Sequence, residues 1–226
     1  MTPSVSSTPR PLIPSLLGLV FPLAALLALI LLGFWVTTDP AISAWDTAFL
    51  LRLHHYATPE LNRAMTVATN LGTHLGVLPA SIVLIVLALG RRRWPTAAYL
   101  TLVMAGSTVL NLTAKLLWQR PRPALWEGIP FHSDFSFPSG HATYSMTFVL
   151  ALVMLSWYRP QRPWLIGLGG LFVLAIGFSR LYLGVHFPSD VVGGWLLAIT
   201  WAVGLYQVIV HWWPLALHSS GSPCQK

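Results

Sequence analysis

The sequence predicts an all-α fold, a bundle of six transmembrane helices with short amphipathic helices on the outer face of the membrane. Of the 226 residues, 55% are hydrophobic and only 8% are charged, whereas a soluble domain is usually about a quarter charged. A helix that crosses the hydrocarbon core needs about 20 mostly apolar residues. Six stretches of the chain approach that length, so we expect one integral membrane domain over residues 1–226.

The six predicted spans follow one another with short connections, except between the first and the second. The first is interpreted as a retained anchor helix, because its apolar run is too long for a signal peptide and no small-residue cleavage site follows. Residues 1–11 are expected to be mobile, and residues 219–226 form a polar tail. The spans are predicted at 12–36, 71–90, 95–117, 141–157, 164–181 and 190–213.

The stretch between the first two spans predicts two short helices. A second helical pattern starts at Pro59, and the first carries apolar residues at helical spacing: Ile42, Trp45, Phe49, Leu53 and Tyr56. Such a stripe fits an amphipathic helix on the outer membrane surface. Packing of the same stripe against the bundle is at least as good an interpretation.

The distribution of charge predicts the orientation in the membrane. With the N-terminus in the cytoplasm, seven of the 13 basic residues lie inside, among them the run 91–93 in a short loop, and all six acidic residues lie outside. We therefore predict a plasma (inner) membrane protein with both termini cytoplasmic. This asymmetry accounts for the net charge of +7, so no nucleic-acid partner is expected. Cys224 is the only cysteine, which excludes a disulfide framework and a cysteine metal site.

Three polar segments interrupt the apolar pattern, and all three map to the outer ends of predicted helices. They are KLLWQRPRP at 115–123, PSGH at 138–141 and SRLYLGVHFPSD at 179–190. Each has an ordinary structural explanation on its own, because cations at helix ends often reach for the headgroups, Ser-Gly after proline is a common turn, and a His–Asp pair can be a simple polar contact. Their convergence on one face of the membrane favours a functional site.

The segment PSGH has the features of an anion site. Ser139 is a favourable N-cap residue, and a helix from His141 onward points its free N–H groups and positive dipole end outward. Gly140 lets a ligand approach the backbone, and phosphate commonly binds at such a helix start. Arginine adds a planar fork that can bind two phosphate oxygens. Three cations would surround the same anion: Lys115, Arg122 and Arg180.

The third segment supplies a candidate nucleophile. His186 and Asp190 are four residues apart, on either side of Pro188. A carboxylate in that position holds one imidazole nitrogen as N–H and leaves the other as a nucleophile or base. His141 would then serve as the general acid. No histidines, cysteines or carboxylates show metal-ligand spacing, so we predict phosphoryl transfer with neither a metal nor a cofactor.

Together, the three segments contain a pattern that resembles the three-part signature of the type 2 phosphatidic acid phosphatase superfamily. The pattern reads Lys115-x6-Arg122-Pro123, then Pro138-Ser139-Gly140-His141, then Ser179-Arg180-x5-His186-x3-Asp190. The resemblance implies a membrane enzyme that hydrolyses a lipid phosphomonoester or diphosphate, such as phosphatidylglycerophosphate, phosphatidic acid or undecaprenyl diphosphate. It also implies that His186 forms a phosphohistidine, Asp190 orients it and His141 protonates the leaving alcohol. The other signature residues would bind the phosphate: Lys115, Arg122, Ser139, Gly140 and Arg180.

Two other functions stay open at this level, and the oligomeric state and the choice of lipid stay open with them. Vanadate-dependent haloperoxidases share the signature but are typically soluble. A lipid transporter or binding protein would also carry ionisable residues in its spans. Arg120 lies outside the signature and could contact a second phosphate or a headgroup. The remaining histidines are interpreted as interfacial or surface residues: His54, His55, His74, His132, His211 and His218.

Overall fold

The structure, a computed structural model, describes residues 16–126 and 134–212. Within these ranges the chain forms eight α-helices and no strand, which confirms the predicted all-α fold. The expected mobile segment 1–11, the tail 219–226 and Cys224 lie outside the described residues. The helices are α1 (Leu16–Thr38), α2 (Pro40–His54), α3 (Pro59–Leu71), α4 (Val77–Gly90), α5 (Trp94–Trp118), α6 (Gly140–Leu155), α7 (Arg162–Tyr182) and α8 (Pro188–Trp212).

Four of the described helices, α1, α5, α7 and α8, are long and apolar enough to cross a membrane. The helices at the second and fourth predicted spans are shorter, with 14 residues in α4 and 16 in α6. Helix α4 begins later than predicted because the chain turns at 72–76 after α3 has ended. The count of six spans is therefore not confirmed and stays a prediction.

Helices α2 and α3 occupy the stretch for which two short helices were predicted, and each has a capped start. The Asp39 side chain accepts a hydrogen bond from Ala41 N (2.8 Å), and Thr58 Oγ1 accepts one from Leu61 N (3.2 Å). Each cap is followed by a proline at the first helical position, where the missing N–H costs nothing. The sequence therefore encodes both helix starts locally.

The apolar stripe of α2 is divided, because Ile42 packs against a buried cluster of the bundle whereas the aromatic residues face outward. Trp45 and Phe49 are exposed and their rings stack with centroids 5.8 Å apart, whereas Asp46 and Leu50 are fully buried. Packing of the stripe against the bundle is thus the wrong interpretation for these two aromatic residues. The exposed aromatic face has the character of a helix on a membrane surface, and the buried face brings an acid into the interior.

Helix α8 lies at the centre of the bundle, where it packs against α1, α5 and α6. A buried cluster joins α5, α6 and α8, with Tyr99, Ala151 and Tyr206 among its members. Small residues allow the closest approach between helices in a membrane, and a Cβ on Gly194 of α8 would lie 2.6 Å from the carbonyl oxygen of Ser139. The start of α6 therefore sits directly on α8.

Two residues with positive φ end the helices that precede the polar segments. Gln119 (φ 45°) ends α5, and its N–H donates to Lys115 O (2.9 Å). Gly184 (φ +67°) follows α7, and a Cβ there would lie 2.2 Å from the Trp126 ring. Glycine suits this position because a left-handed backbone carries little penalty without a side chain. Both turns direct the chain toward the same end of the bundle.

Candidate active site

The predicted site residues meet at one cavity of about 680 Å³. Six of the eight line it: Lys115, Arg122, Gly140, His141, Arg180 and His186. The other two, Ser139 and Asp190, are fully buried behind its wall and are joined by a hydrogen bond from Ser139 N to Asp190 O (2.9 Å). The structure thus gathers residues from three separate polar segments at one end of the bundle.

His186 is held between an acid and a cation. Its Nδ1 lies 3.3 Å from Asp190 Oδ2, and its Nε2 lies 3.0 Å from Arg122 Nη1. A guanidinium nitrogen can only donate, so Nε2 accepts and the imidazole proton sits on Nδ1, facing Asp190. Burial, followed by the positive charges of Arg122 and Arg180, lowers the pKa of His186 well below its ordinary value. The ring is therefore neutral, with its lone pair on Nε2 at the cavity.

Arg120 is buried and bonds to two carboxylates. Its Nη1 donates to Asp190 Oδ1 (2.7 Å), and its Nη2 donates to Asp46 Oδ2 (2.7 Å). Its Cζ also lies 4.2 Å from the centroid of the Phe187 ring. The hypothesis that Arg120 contacts a second phosphate or a headgroup is therefore wrong. Two fully buried carboxylates need a cation between them, and Arg120 is that cation.

Asp46 is a site residue that sequence reasoning missed. Besides binding Arg120, it accepts hydrogen bonds from Ser189 N (3.2 Å) and from Ser189 Oγ at the start of α8. The only signal in the sequence is a single acid in α2, next to the apolar stripe but not part of it. Neither interpretation of α2, on the membrane surface or packed against the bundle by its stripe, indicated that this carboxylate reaches the residue next to Asp190.

Two buried polar atoms at the predicted phosphate site lack partners within the described part of the chain: Ser139 Oγ and Arg180 Nε. Ser139 occupies the predicted N-cap position, but its side chain makes no capping bond to α6. Arg180 is anchored at its other end, where Nη1 donates to Thr69 Oγ1 (2.8 Å). A buried donor without an acceptor costs about 1–3 kcal/mol, so both atoms are unused donors among the described residues.

Asp134 is a second acid that the signature does not include. Its Oδ2 lies 2.8 Å from Lys115 Nζ, and its Oδ1 accepts from Arg122 Nη2 at 2.8 Å. Partial burial alone would raise the pKa of Asp134, but Lys115 and Arg122 outweigh burial and lower the pKa to about 2. Two of the predicted phosphate-binding cations are therefore paired with this carboxylate.

The end of α3 supports two site residues, a contribution that the sequence did not indicate. Thr69 binds Arg180, and Thr73 Oγ1 lies 3.3 Å from His141 Nε2. Threonine is too common a residue type for either position to stand out by spacing alone. The loop after α3 thus reaches the proposed general acid.

The remaining described histidines are exposed, which confirms their interpretation as surface residues: His54, His55, His74 and His211. His54 stacks on Trp126 with ring centroids 4.0 Å apart, and His74 lines the cavity at its exposed edge. His132 and His218 lie outside the described residues. Among residues 16–126 and 134–212, no group of three or more His, Cys, Asp or Glu side chains could hold a metal ion.

The cavity continues from the polar residues into an apolar groove between α4 and α5. The groove extends along α5 from Lys115 back to Thr101, a distance of roughly 21 Å at the usual helical rise. Several lining residues are half exposed on the outside of the bundle, so the groove is open sideways: Leu78, Ile82 and Leu112. Polar and apolar parts joined in this way fit a molecule with a charged head and a hydrocarbon chain.

Comparison with known proteins identifies the family. The family model of the PAP2 superfamily matches residues 96–214. The chain is 31% identical over 172 residues to phosphatidylglycerophosphatase B of Bacillus subtilis, covering 72% of this chain and 79% of that protein. It is 40% identical over 68 residues to the undecaprenyl-diphosphatase of Sulfolobus acidocaldarius, covering 30% of this chain and 31% of that protein.

A solved structure extends the likeness to the fold. The crystal structure of the first transmembrane PAP2-type phosphatidylglycerolphosphate phosphatase from Bacillus subtilis superposes with a TM-score of 0.74 at 28% identity, covering 82% of this chain and 94% of that one. The chain therefore belongs to the PAP2 superfamily. With its apolar helices, it is a membrane enzyme of the lipid phosphatase class.

Proposed function

We propose that this protein hydrolyses a lipid phosphate at the outer face of the membrane through a phosphohistidine on His186. One observation carries the proposal: a neutral, buried His186 presents Nε2 to the cavity while Nδ1 faces Asp190, 3.3 Å away. A neutral imidazole is a competent nucleophile without a separate base. The donors Ser139 Oγ and Arg180 Nε, which lack partners within the described residues, support a phosphate bound beside it.

In the first half of the reaction, Arg122 Nη1 releases His186 Nε2, and the lone pair of Nε2 attacks phosphorus. The bond from phosphorus to the lipid oxygen breaks, and that oxygen keeps the electron pair and takes a proton from His141. Lys115, Arg122 and Arg180 neutralise the charge that builds up on the phosphoryl oxygens. The lipid alcohol leaves, or the lipid monophosphate leaves when the substrate is a diphosphate.

In the second half, a water molecule cleaves the phosphohistidine. His141, now neutral, takes a proton from the water as its oxygen attacks phosphorus. The bond from phosphorus to nitrogen breaks, the electron pair returns to Nε2 of His186, and inorganic phosphate leaves. Both histidines are then back in their starting states, with Asp190 still holding the proton on Nδ1.

The apolar groove supports a lipid as the substrate, because a soluble phosphate ester has no hydrocarbon chain that could bind in it. The broad match to a phosphatidylglycerophosphatase supports phosphatidylglycerophosphate as the first candidate. Undecaprenyl diphosphate is the second candidate, supported by the shorter match to an undecaprenyl-diphosphatase. An outward-facing site suits lipids whose phosphate groups reach the outer leaflet.

The proposed topology has six spans, α1 and α4 to α8, with both termini in the cytoplasm. Support comes from the two ends of α5. Arg91, Arg92 and Arg93 lie just before its first residue, and Lys115 of the site lies in its last turn. The arginine run and the site are therefore at opposite ends of a helix long enough to cross the membrane, and the positive-inside rule assigns the run to the cytoplasm.

The proposal is tested with purified protein in detergent and a panel of lipid phosphates. We expect phosphate release from at least one lipid, and its loss in His186→Ala but not in His55→Ala, an exposed histidine outside the site. With labelled lipid phosphate, rapid quenching should leave a label that is labile in acid and stable in alkali. An acid-stable label that persists in His186→Ala and disappears in Ser139→Ala would overturn the assignment of the nucleophile.

A further inference from the structure

The carboxylate of Asp134 contacts two cations of the site as two oxygens of a phosphate would. Oδ2 lies 2.8 Å from Lys115 Nζ, Oδ1 lies 2.8 Å from Arg122 Nη2, and the main-chain oxygen of Asp134 accepts from Arg122 Nε at 3.1 Å. Asp134 thus engages the Nε and Nη2 edge of Arg122, one of the edges through which a guanidinium binds an oxyanion bidentately.

The carboxylate and a phosphate cannot both keep these contacts. A phosphate that binds Lys115 Nζ and Arg122 Nη2 needs the same donors that the carboxylate occupies. As a dianion it would also bring two negative charges beside that of Asp134, and like charges at such short distances repel each other. One of the two anions therefore has to give way before the other can bind both cations.

The structure indicates which partner moves. The side chain of Asp134 is 50% exposed, whereas that of Lys115 is only 6% exposed and that of Arg122 13%. Arg122 is also fixed on its other side, where Nη1 donates to the main-chain oxygen of Val185 (2.8 Å). Lys115 donates to the main-chain oxygen of Phe135. The cations are held in place, and the carboxylate can turn toward water.

We propose that Asp134 is a counter-ion that phosphate displaces from Lys115 and Arg122, and that its return helps to expel the inorganic phosphate product. This inference rests on the proposed function, because it assumes that the same cations bind phosphate. It makes Asp134 a determinant of phosphate affinity that lies outside the family signature. The carboxylate keeps the affinity for phosphate low enough for the product to leave.

The test compares the binding of inorganic phosphate and of orthovanadate to purified wild-type protein and to Asp134→Asn by isothermal titration calorimetry, which needs no turnover. Asparagine keeps the shape of the side chain and removes its charge. We expect Asp134→Asn to bind both anions roughly tenfold more tightly, as the loss of part of this repulsion would allow. Glu60→Gln is the matched control, since Glu60 is an exposed acid in the first turn of α3, and we expect it to bind as the wild type does.

Each other outcome counts against the proposal in a distinct way. Equal or weaker binding in Asp134→Asn, with thermal unfolding unchanged, would mean that Asp134 orients the cations instead of competing for them. An equal gain in anion affinity in Glu60→Gln would mean that the effect comes from the change in the net charge of the protein. If Asp134→Asn unfolds early, Asp134→Ser replaces it with the same expected gain. No anion binding by the wild type would overturn the proposed function together with this inference.

Discussion

At the residue scale, the orientation of His186 depends on a chain of buried charges that leads away from the cavity. Asp190 accepts from His186, from Phe187 N (2.8 Å) and from Arg120, and Arg120 is shared with Asp46. Both carboxylates are fully buried, and the guanidinium of Arg120 lies between them. The carboxylate that faces the nucleophile is therefore positioned from α2, a helix to which the sequence assigned no part in the site.

Replacing Asp46 by asparagine tests this chain of charges. Breaking a buried ion pair costs about 3–5 kcal/mol, so we expect Asp46→Asn to lower the unfolding temperature and to slow the formation of phosphohistidine. Asp39→Asn is the control on the same helix, because Asp39 is an exposed N-cap and asparagine caps equally well.

Single-turnover labelling and orthovanadate binding distinguish a positioning role for Asp46 from a purely structural one. If Asp46 positions Asp190, the rate of phosphohistidine formation falls while the affinity of the folded protein for orthovanadate is kept. If Asp46→Asn loses both the rate of phosphohistidine formation and the affinity for orthovanadate, the role of Asp46 is purely structural. A wild-type rate would remove it from the site.

The residues that the sequence revealed and those that it missed differ in how they are spaced. The eight predicted site residues were found because their spacing within three short segments is specific, and all of them meet at the cavity or directly behind it. The missed residues lie alone in α2 and α3 or just after them. Thr69 and Thr73 each contact a signature residue, and Asp46 contacts Arg120, which in turn binds Asp190. Nothing in a single sequence marks such a contact, because it depends on how the helices pack.

At the scale of elements, the site depends on how closely α6 approaches α8. A Cβ on Gly194 would lie 2.6 Å from Ser139 O and 3.1 Å from Thr143 N, both backbone atoms that cannot move separately from the start of α6. The bond from Ser139 N to Asp190 O spans the same contact. The start of α3 at Pro59, which a local cap encodes, was predictable, whereas this contact between two helices was not.

We expect Gly194→Ala to separate the two helices and to lower both stability and turnover. Overpacking of this kind costs about 1–3 kcal/mol, and the displaced Ser139 would bind phosphate less well. Gly170→Ala in α7 is the matched control, because nothing lies within 4 Å of its added Cβ and alanine gains up to about 1 kcal/mol in a helix. Thermal unfolding and phosphate release measure both effects, and equal behaviour of the two variants would contradict the role assigned to this contact.

At the scale of the whole molecule, the fold puts all of the site chemistry at one end and the densest positive charge at the other. The C-terminal ends of α5 and α7 lead into the polar segments, and α6 and α8 begin there. Composition was sufficient to predict an all-α membrane protein. It was not sufficient to fix the number of spans, because α4 and α6 are shorter than a bilayer usually requires and the bilayer thickness around them is not encoded in their residues.

Cysteine labelling in spheroplasts tests the proposed orientation of the whole chain. The variants are made in a Cys224→Ser background. Glu60→Cys lies at the same end of the bundle as the site, because Thr58, two residues earlier, donates its N–H to Tyr182 Oη at the end of α7 (3.0 Å). Arg91→Cys lies at the other end, directly before α5, and both positions are exposed. With the triple arginine in the cytoplasm, a membrane-impermeant maleimide should label Glu60→Cys in intact spheroplasts and Arg91→Cys only after lysis. The reverse pattern would place the active site in the cytoplasm and restrict the substrate to lipids of the inner leaflet.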